Sequence, residues 1–287
     1  MKELSRREFV QKSAAALAGA AMVSPLLSQA EMLKSGGGFP IGFQSWVIKE
    51  QLAKDFAGTL KQVSGMGYEV IEMCSPPGYK DYGFGPLQSL SAKEMKTIMN
   101  DAGIKCTSCH YGFGELKNNL QERIDFAKGV GFSQMVVSSF GLPKTATLDD
   151  WKKAADEMNE LGRRAQGTGM TMVFHNHNTE FQKLEGQIIY DVLLDRLDPK
   201  LSKLQFQLWV IIDGYKAADY FRKHPGRFVS AHLYDWSGVG AEEVPLGKGK
   251  VDWKEFFDAA KIGGLKNCFV EMQMDKLKES AQFLSKL

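Results

Sequence analysis

Eight short apolar runs, each followed by an amphipathic stretch, constrain this chain more than any other feature. The runs are IGFQSW (41–46), YEVIEMC (68–74), IKCTSCHYG (104–112), SQMVVSSF (133–140), TMVFHNHN (171–178), KLQFQLWVI (203–211), RFVSAHLYDW (227–236) and NCFVEMQ (267–273). Runs this apolar belong to strands covered on both faces, and helical segments between them make the sheet parallel. Those segments include DFAGTLKQVSGMG, SAKEMKTIMNDAG, ERIDFAKGVG, LDDWKKAADEMNELGRRAQGTG, AADYFRKHPG and DWKEFFDAAKIGG. Most end in Gly just before the next run, as helix C-caps do. Eight strands and eight crossovers in about 250 residues predict an α/β fold, a (β/α)8 barrel in one domain over 40–287. A doubly wound open sheet is the alternative, but no G-x-G-x-x-G follows the first strand.

The segment before the barrel reads differently. Ser5-Arg6-Arg7-Glu8-Phe9-Val10 precedes the Ala-rich stretch SAAALAGAAMVSPLLSQA, and residues 31–39 contain a Gly-rich linker. Residues 1–30 resemble a twin-arginine export signal, with a small-residue cleavage point after Ala30, so a periplasmic destination is expected. Removing residues 1–30 takes away four basic and two acidic residues, leaving 32 of each sign. A neutral chain is a poor partner for nucleic acid or an anionic membrane. No apolar run reaches the roughly 18 residues that span a bilayer, so no stable membrane insertion is expected once the signal is gone. The sequence leaves homo-oligomers open. Cys106-Thr-Ser-Cys109 has C-x-x-C spacing but lies in a strand-like run, where core thiols fit better than a redox or zinc pair.

The chemistry collects at strand ends. In such a barrel, active sites form at the C-terminal ends of the strands. Strand one carries Gln44 there, strand two Glu72, strand three His110, strand five His175 and His177, strand seven His232 and strand eight Glu271. Strand four offers Ser138 and Ser139, and strand six Trp209. Four of the five histidines thus fall on one rim; the fifth, His224, reads as a surface residue between a helix and a strand. His175 and His177 alternate, so they share a face. Any single histidine here could be a hydrogen-bonded core residue, but four on one rim point to a site. Two or three imidazoles with a carboxylate suit Zn²⁺, Mn²⁺ or Fe²⁺.

Four stretches carry a family resemblance: HNHNTEF (175–181), FQLWV (206–210), HPGRFVSAHLYDW (224–236), and VPLGKGKVDWKEFFDAAKIGG with CFVEM (268–272). From about residue 40 to 285 the chain resembles the sugar isomerase/epimerase superfamily, the xylose isomerase-like TIM barrels. The resemblance implies one divalent metal (Mn, Zn, Mg or Co) held by Glu, Asp, His and Glu from strands five to eight. Carried over, His232 matches the metal His, Glu271 the last Glu, and His175 the place of the first Glu. Trp209 stands where the family's Asp belongs in F-Q-L-D. The implied site is therefore incomplete unless Asp213, Glu72, His110 or His177 substitutes.

The resemblance further implies proton abstraction next to a carbonyl, by an isomerase or epimerase of a sugar or keto-sugar, and the expected export makes that sugar a non-phosphorylated one. Candidate catalytic residues are Glu72, His110, Glu180 and Glu271. Gln44, His177, Trp209 and Lys248 are candidates for substrate contact, with Lys248 in a loop, LGKGK, that matches no phosphate-binding pattern. A lyase or hydrolase acting on a 3-keto-glycoside would use the same enolisation. A non-catalytic carbohydrate-binding barrel, with Trp209 as a stacking platform, is the alternative from another class. An endonuclease on the same fold would want a fuller zinc set and a basic groove.

Overall fold

The computed structural model describes residues 38–287; the stretch expected to be an export signal and most of the Gly-rich segment lie outside the described residues. Eight parallel strands close into a barrel: β1 (Ile41–Gln44), β2 (Val70–Cys74), β3 (Lys105–Tyr111), β4 (Gln134–Val137), β5 (Thr171–His175), β6 (Ser202–Gln207), β7 (Phe228–Leu233) and β8 (Asn267–Val270). Seven fall inside the apolar runs of the sequence, and β6 begins one residue before its run, at Ser202. Neighbours around the barrel are neighbours in the chain, and β1 closes the ring against β8, with Ile41 beside Cys268. The open sheet is excluded. Gly42 sits at that seam, where a Cβ would come 2.5 Å from the Cys268 carbonyl oxygen. Only glycine lets the two strands approach there.

Helices α1 (Lys49–Lys54), α2 (Phe56–Ser64), α3 (Ala92–Asp101), α4 (Phe113–Val130), α5 (Leu148–Ala165), α6 (Ile189–Arg196), α7 (Ala217–Lys223), α8 (Trp253–Gly263) and α9 (Met274–Leu284) join or follow the strands. Local chemistry sets their ends. Ser91 with Glu94 and Thr147 with Asp150 form capping boxes at α3 and α5, each satisfying otherwise unpaired N–H groups. Gly131 and Gly264, in left-handed conformation, stop α4 and α8. Helix α4 starts nine residues before the expected ERIDFAKGVG segment, because Phe113, Leu116 and Leu120 already form a buried stripe. After β5 a hairpin (Lys183–Leu184 with Gln187–Ile188) turns at Glu185 and Gly186, both at positive φ.

The main apolar core lies between strands and helices, while Val136, Val173 and Val229 form a separate small cluster. All four cysteines are buried and free, so Cys106 and Cys109 are core thiols. Among the described residues no helix is long and apolar enough to cross a membrane.

The loop from β7 to α8 is organised by one carboxylate. Asp235 is fully buried and accepts from the N–H groups of Trp236, Gly247, Gly249 and Val251 at 2.8–3.1 Å and from the Trp253 indole at 3.0 Å. The glycines of LGKGK therefore wrap an internal anion. Asp235→Ala leaves these donors unpaired and is expected to cost about 3–5 kcal/mol. Asp235→Asn, which keeps an acceptor oxygen, should cost less; denaturant midpoints measure both.

Candidate active site

Parallel register brings side chains from neighbouring strands to one level. Glu72 on β2 is paired with Gln44 on β1 and Ser108 on β3, and its side chain points into the barrel, fully buried. Its carboxylate accepts from Gln44 Nε2 at 2.9 Å, Gln205 Nε2 at 2.8 Å and the Ser108 hydroxyl. His110 Nε2 lies 3.0 Å away and His232 Nε2 2.5 Å away. Burial pushes such a carboxyl towards protonation; His110 and His232 outweigh it and hold Glu72 well below the usual carboxylate range. The expectation that Glu72 is catalytic gives way to an anchoring role beneath the site.

That anchor fixes the imidazoles above it. His110 Nε2 faces two acceptors, Glu72 and Gln205 Oε1 (2.8 Å), so this nitrogen carries a hydrogen and the ring is fixed by both. Gln205 is oriented by donating also to Ser230 at 2.9 Å. Both nitrogens of His232 face carboxylates, Glu72 and Glu271, the latter at 3.1 Å. Burial disfavours charge on His232, yet Glu271 and Glu72 together push its pKa up to about 10. His175 is the opposite case. Burial, then the neighbouring His232, His177 and His110, lower its pKa well below the ordinary value, and its Nδ1 is buried with no hydrogen-bond partner.

His110, His175 and His232 offer ligand atoms within 4.8 Å of one another, and all three residues are buried. Together they can hold a metal ion. The idle Nδ1 of His175 is the observation that fits a ligand best, since unpaired buried nitrogens are costly. His232 could ligate only by losing a proton, so metal and proton compete there. Glu271, expected as a ligand, instead pairs with His232 and accepts from the Gln207 amide. Burial raises its pKa, but His232 and Gln207 bring the net shift downward, so it is ionised.

Above this cluster lies a cavity of about 250 Å³, lined by Gln44, Trp46, Tyr79, His110, His177 and Glu271 among others. Trp46 and Tyr79, which meet edge-on at 5.9 Å, were invisible as site residues in the sequence. Trp46 stands two positions past Gln44, and that offset from a strand end was the available signal. Glu180 is buried elsewhere: its carboxylate accepts from His177 N–H at 2.7 Å, burial pushes its pKa up to about 7, and it lines an adjoining hollow.

Other expectations are corrected by position. Trp209 lies in the turn Leu208–Asp213 with its ring against Tyr234 at 4.5 Å, and it is not among the residues lining the cavity. Strand β6 offers neutral amides, Gln205 and Gln207, and no carboxylate. Asp213 is exposed and accepts from Asn178, so it does not complete a ligand set. Lys248 is exposed, outside the cavity lining, and pairs with Glu279 of α9 at 3.4 Å. His224 is half-buried, with Nε2 enclosed, rather than a free surface residue.

Residues 60–287 match the profile of the xylose isomerase-like TIM barrel family. The chain is 28% identical over 150 residues to an inosose dehydratase of Clostridium perfringens, covering 47% of this chain and 50% of that one. It thus spans about half the length of that relative. An inosose dehydratase of Lacticaseibacillus casei is 23% identical over 250 residues, 73% of this chain and 83% of the other. Among solved structures, a sugar phosphate isomerase/epimerase from Parabacteroides distasonis superposes with TM-score 0.71 at 22% identity, over 91% and 97% of the two chains. The IOLI protein with a bound zinc atom gives 0.63 at 15% identity, over 86% and 95%. A 3-keto-D-glucoside 4-epimerase from E. coli gives 0.59 at 16%, over 86% and 98%. At these identities the structural likenesses speak for the fold.

The His232 pairing has a pH signature. Its folded pKa is raised, so its contribution to stability is complete below about pH 6.5, the unfolded value, and disappears as pH rises towards 10. Between those limits the native state holds the extra proton, and stability should fall with pH by up to about 1.4 kcal/mol per unit. Glu72→Gln weakens the pairing and should flatten that slope. Urea titrations of metal-free protein from pH 6 to 10 measure both.

Proposed function

The chain belongs to the xylose isomerase-like TIM barrel family, and from that premise we propose that it is an enzyme of small sugars, an isomerase or epimerase. It abstracts the proton next to the carbonyl of a non-phosphorylated sugar or keto-sugar. The observation that carries this reading is that His110, His175 and an ionised Glu271 line one cavity at the C-terminal mouth, with His232 buried within ligand distance of both imidazoles. When bound at His110, His175 and His232, a divalent ion supplies Lewis-acid polarisation of the substrate carbonyl. Glu271, fixed by Gln207 and His232, takes the proton from the adjacent carbon. His177 lines the same cavity and is the residue we assign to return a proton. Gln44 and the Trp46–Tyr79 pair bind the ring, the aromatics through its apolar face.

A second reading shares the first step. Similarity to inosose dehydratases favours a lyase, in which the enolised sugar expels the group β to its ketone, as water or as the aglycone of a 3-keto-glycoside. Which keto-sugar is used would decide between them. We place the enzyme in the periplasm on the twin-arginine pattern of residues 5–10.

Incubating the protein with a panel of keto-sugars in deuterated water should put deuterium at the carbon next to the ketone. Added Zn²⁺ should increase the rate over metal-free protein, and Glu271→Gln should lower it about 10²–10⁴-fold. Absence of exchange from every member of the panel, with and without metal, would leave the binding-only barrel standing.

For export, replacing Arg6 and Arg7 with Lys should trap a longer precursor in the cytoplasm, visible by fractionation and immunoblot. Unaltered processing of that double variant would sink the twin-arginine reading.

A further inference from the structure

Two hollows meet at the mouth of the barrel. The imidazole-lined cavity has about 250 Å³, and its neighbour, between the segments that follow β4 and β5, about 650 Å³. Ser139 and His177 line both, so the two adjoin at those side chains. The smaller falls short of the roughly 300–1,000 Å³ typical of a ligand pocket and suits a single ring; the larger does not. Its lining mixes Trp151 and Leu184 with Lys144, Thr179 and Glu180, apolar faces beside hydrogen-bonding edges. Sugars present the same mixture, a C–H face and a hydroxyl rim. The wall is also fixed in place. Glu185, at the tip of the hairpin that carries Leu184, accepts from Leu148 N–H at the start of α5 at 3.2 Å.

We propose that the substrate is a glycoside, with its keto-sugar ring in the smaller hollow and a second sugar ring in the larger. This rests on the enolisation reading of the smaller hollow and adds to it a subsite that selects for size. A free monosaccharide would leave the larger hollow to water. A disaccharide gains contacts there that place its first ring against Glu271, so the second ring raises kcat/KM without touching the reacting carbon. Glu180, Thr179 and Lys144 supply the polar contacts and Leu184 the apolar one.

The test compares two substrates in deuterated water, 3-keto-glucose and a glucosyl-glucose disaccharide oxidised at carbon 3 of its non-reducing ring. Wild-type protein should exchange the proton next to the ketone with kcat/KM at least about tenfold higher for the disaccharide. Leu184→Trp, which fills the larger hollow, should abolish that preference and leave the monosaccharide rate within about twofold. Lys144→Ala should reduce the preference, and an unchanged thermal midpoint shows that either variant is folded. Equal kcat/KM for the two substrates, or equal slowing of both by Leu184→Trp, overturns the proposal while sustaining enolisation. Absence of exchange from both substrates overturns enolisation instead. Calorimetric titration with the unoxidised disaccharide and with glucose then judges the subsite alone. Tighter disaccharide binding, lost in Leu184→Trp, supports it, and identical binding of the two sugars refutes it.

Discussion

A buried anion governs the inside of this barrel. Glu72 is fully buried, and its donors come from four other strands: Gln44 on β1, Ser108 and His110 on β3, Gln205 on β6 and His232 on β7. An ionised carboxylate in that setting is tolerated only if every donor is present and aligned. Strand register is therefore tied to electrostatics, because sliding any one of those strands by a residue would turn its donor to the opposite face. Burial between helices explains why the strands are apolar outside; Glu72 explains why they are polar within.

The same anion sets the chemical state of the site. By accepting from His110 Nε2 it fixes that ring, and by sharing His232 with Glu271 it makes that imidazole cationic. Counting Glu72, Glu271 and protonated His232, the cluster carries one net negative charge. A divalent ion that displaced the His232 proton would bring it to neutrality. Carboxylates bind metal directly in the family pattern. Here Glu72 and Glu271 hydrogen-bond to the imidazoles instead, and carboxylate partners of that kind orient ligands and tune their basicity.

Much of this was legible in the chain. Both-face burial writes a strand as a continuous apolar run, and all eight were readable for that reason, as was the gathering of His110, His175, His232 and Glu271 on one rim. The division of labour among them was not. Glu72 looks like a catalytic acid in sequence because its five donors are scattered from residue 44 to 232 and meet only after closure. Gln205, Gln207, Ser108 and Ser230 are neutral residues in apolar runs and give no signal of a network. Trp209 was read through the family's Asp position, but a 3-10 turn begins at Leu208 and swings the indole onto Tyr234. Lys248 sits in a glycine loop whose amides answer to Asp235, a partnership that only tertiary structure reveals.

The seam at Gly42 has a consequence for how such a molecule comes into being. The first strand pairs with the last, so a chain emerging from the ribosome holds β1 with one edge unsatisfied until β8 has been synthesised. Until then seven strands form an open ribbon with two sticky margins, and neighbouring nascent chains compete for them. A side chain at position 42 would not only crowd the finished barrel; it would slow the last join and lengthen that exposed interval. Joining the ends elsewhere by circular permutation would move this vulnerable margin to another pair of strands, where no glycine eases the final contact.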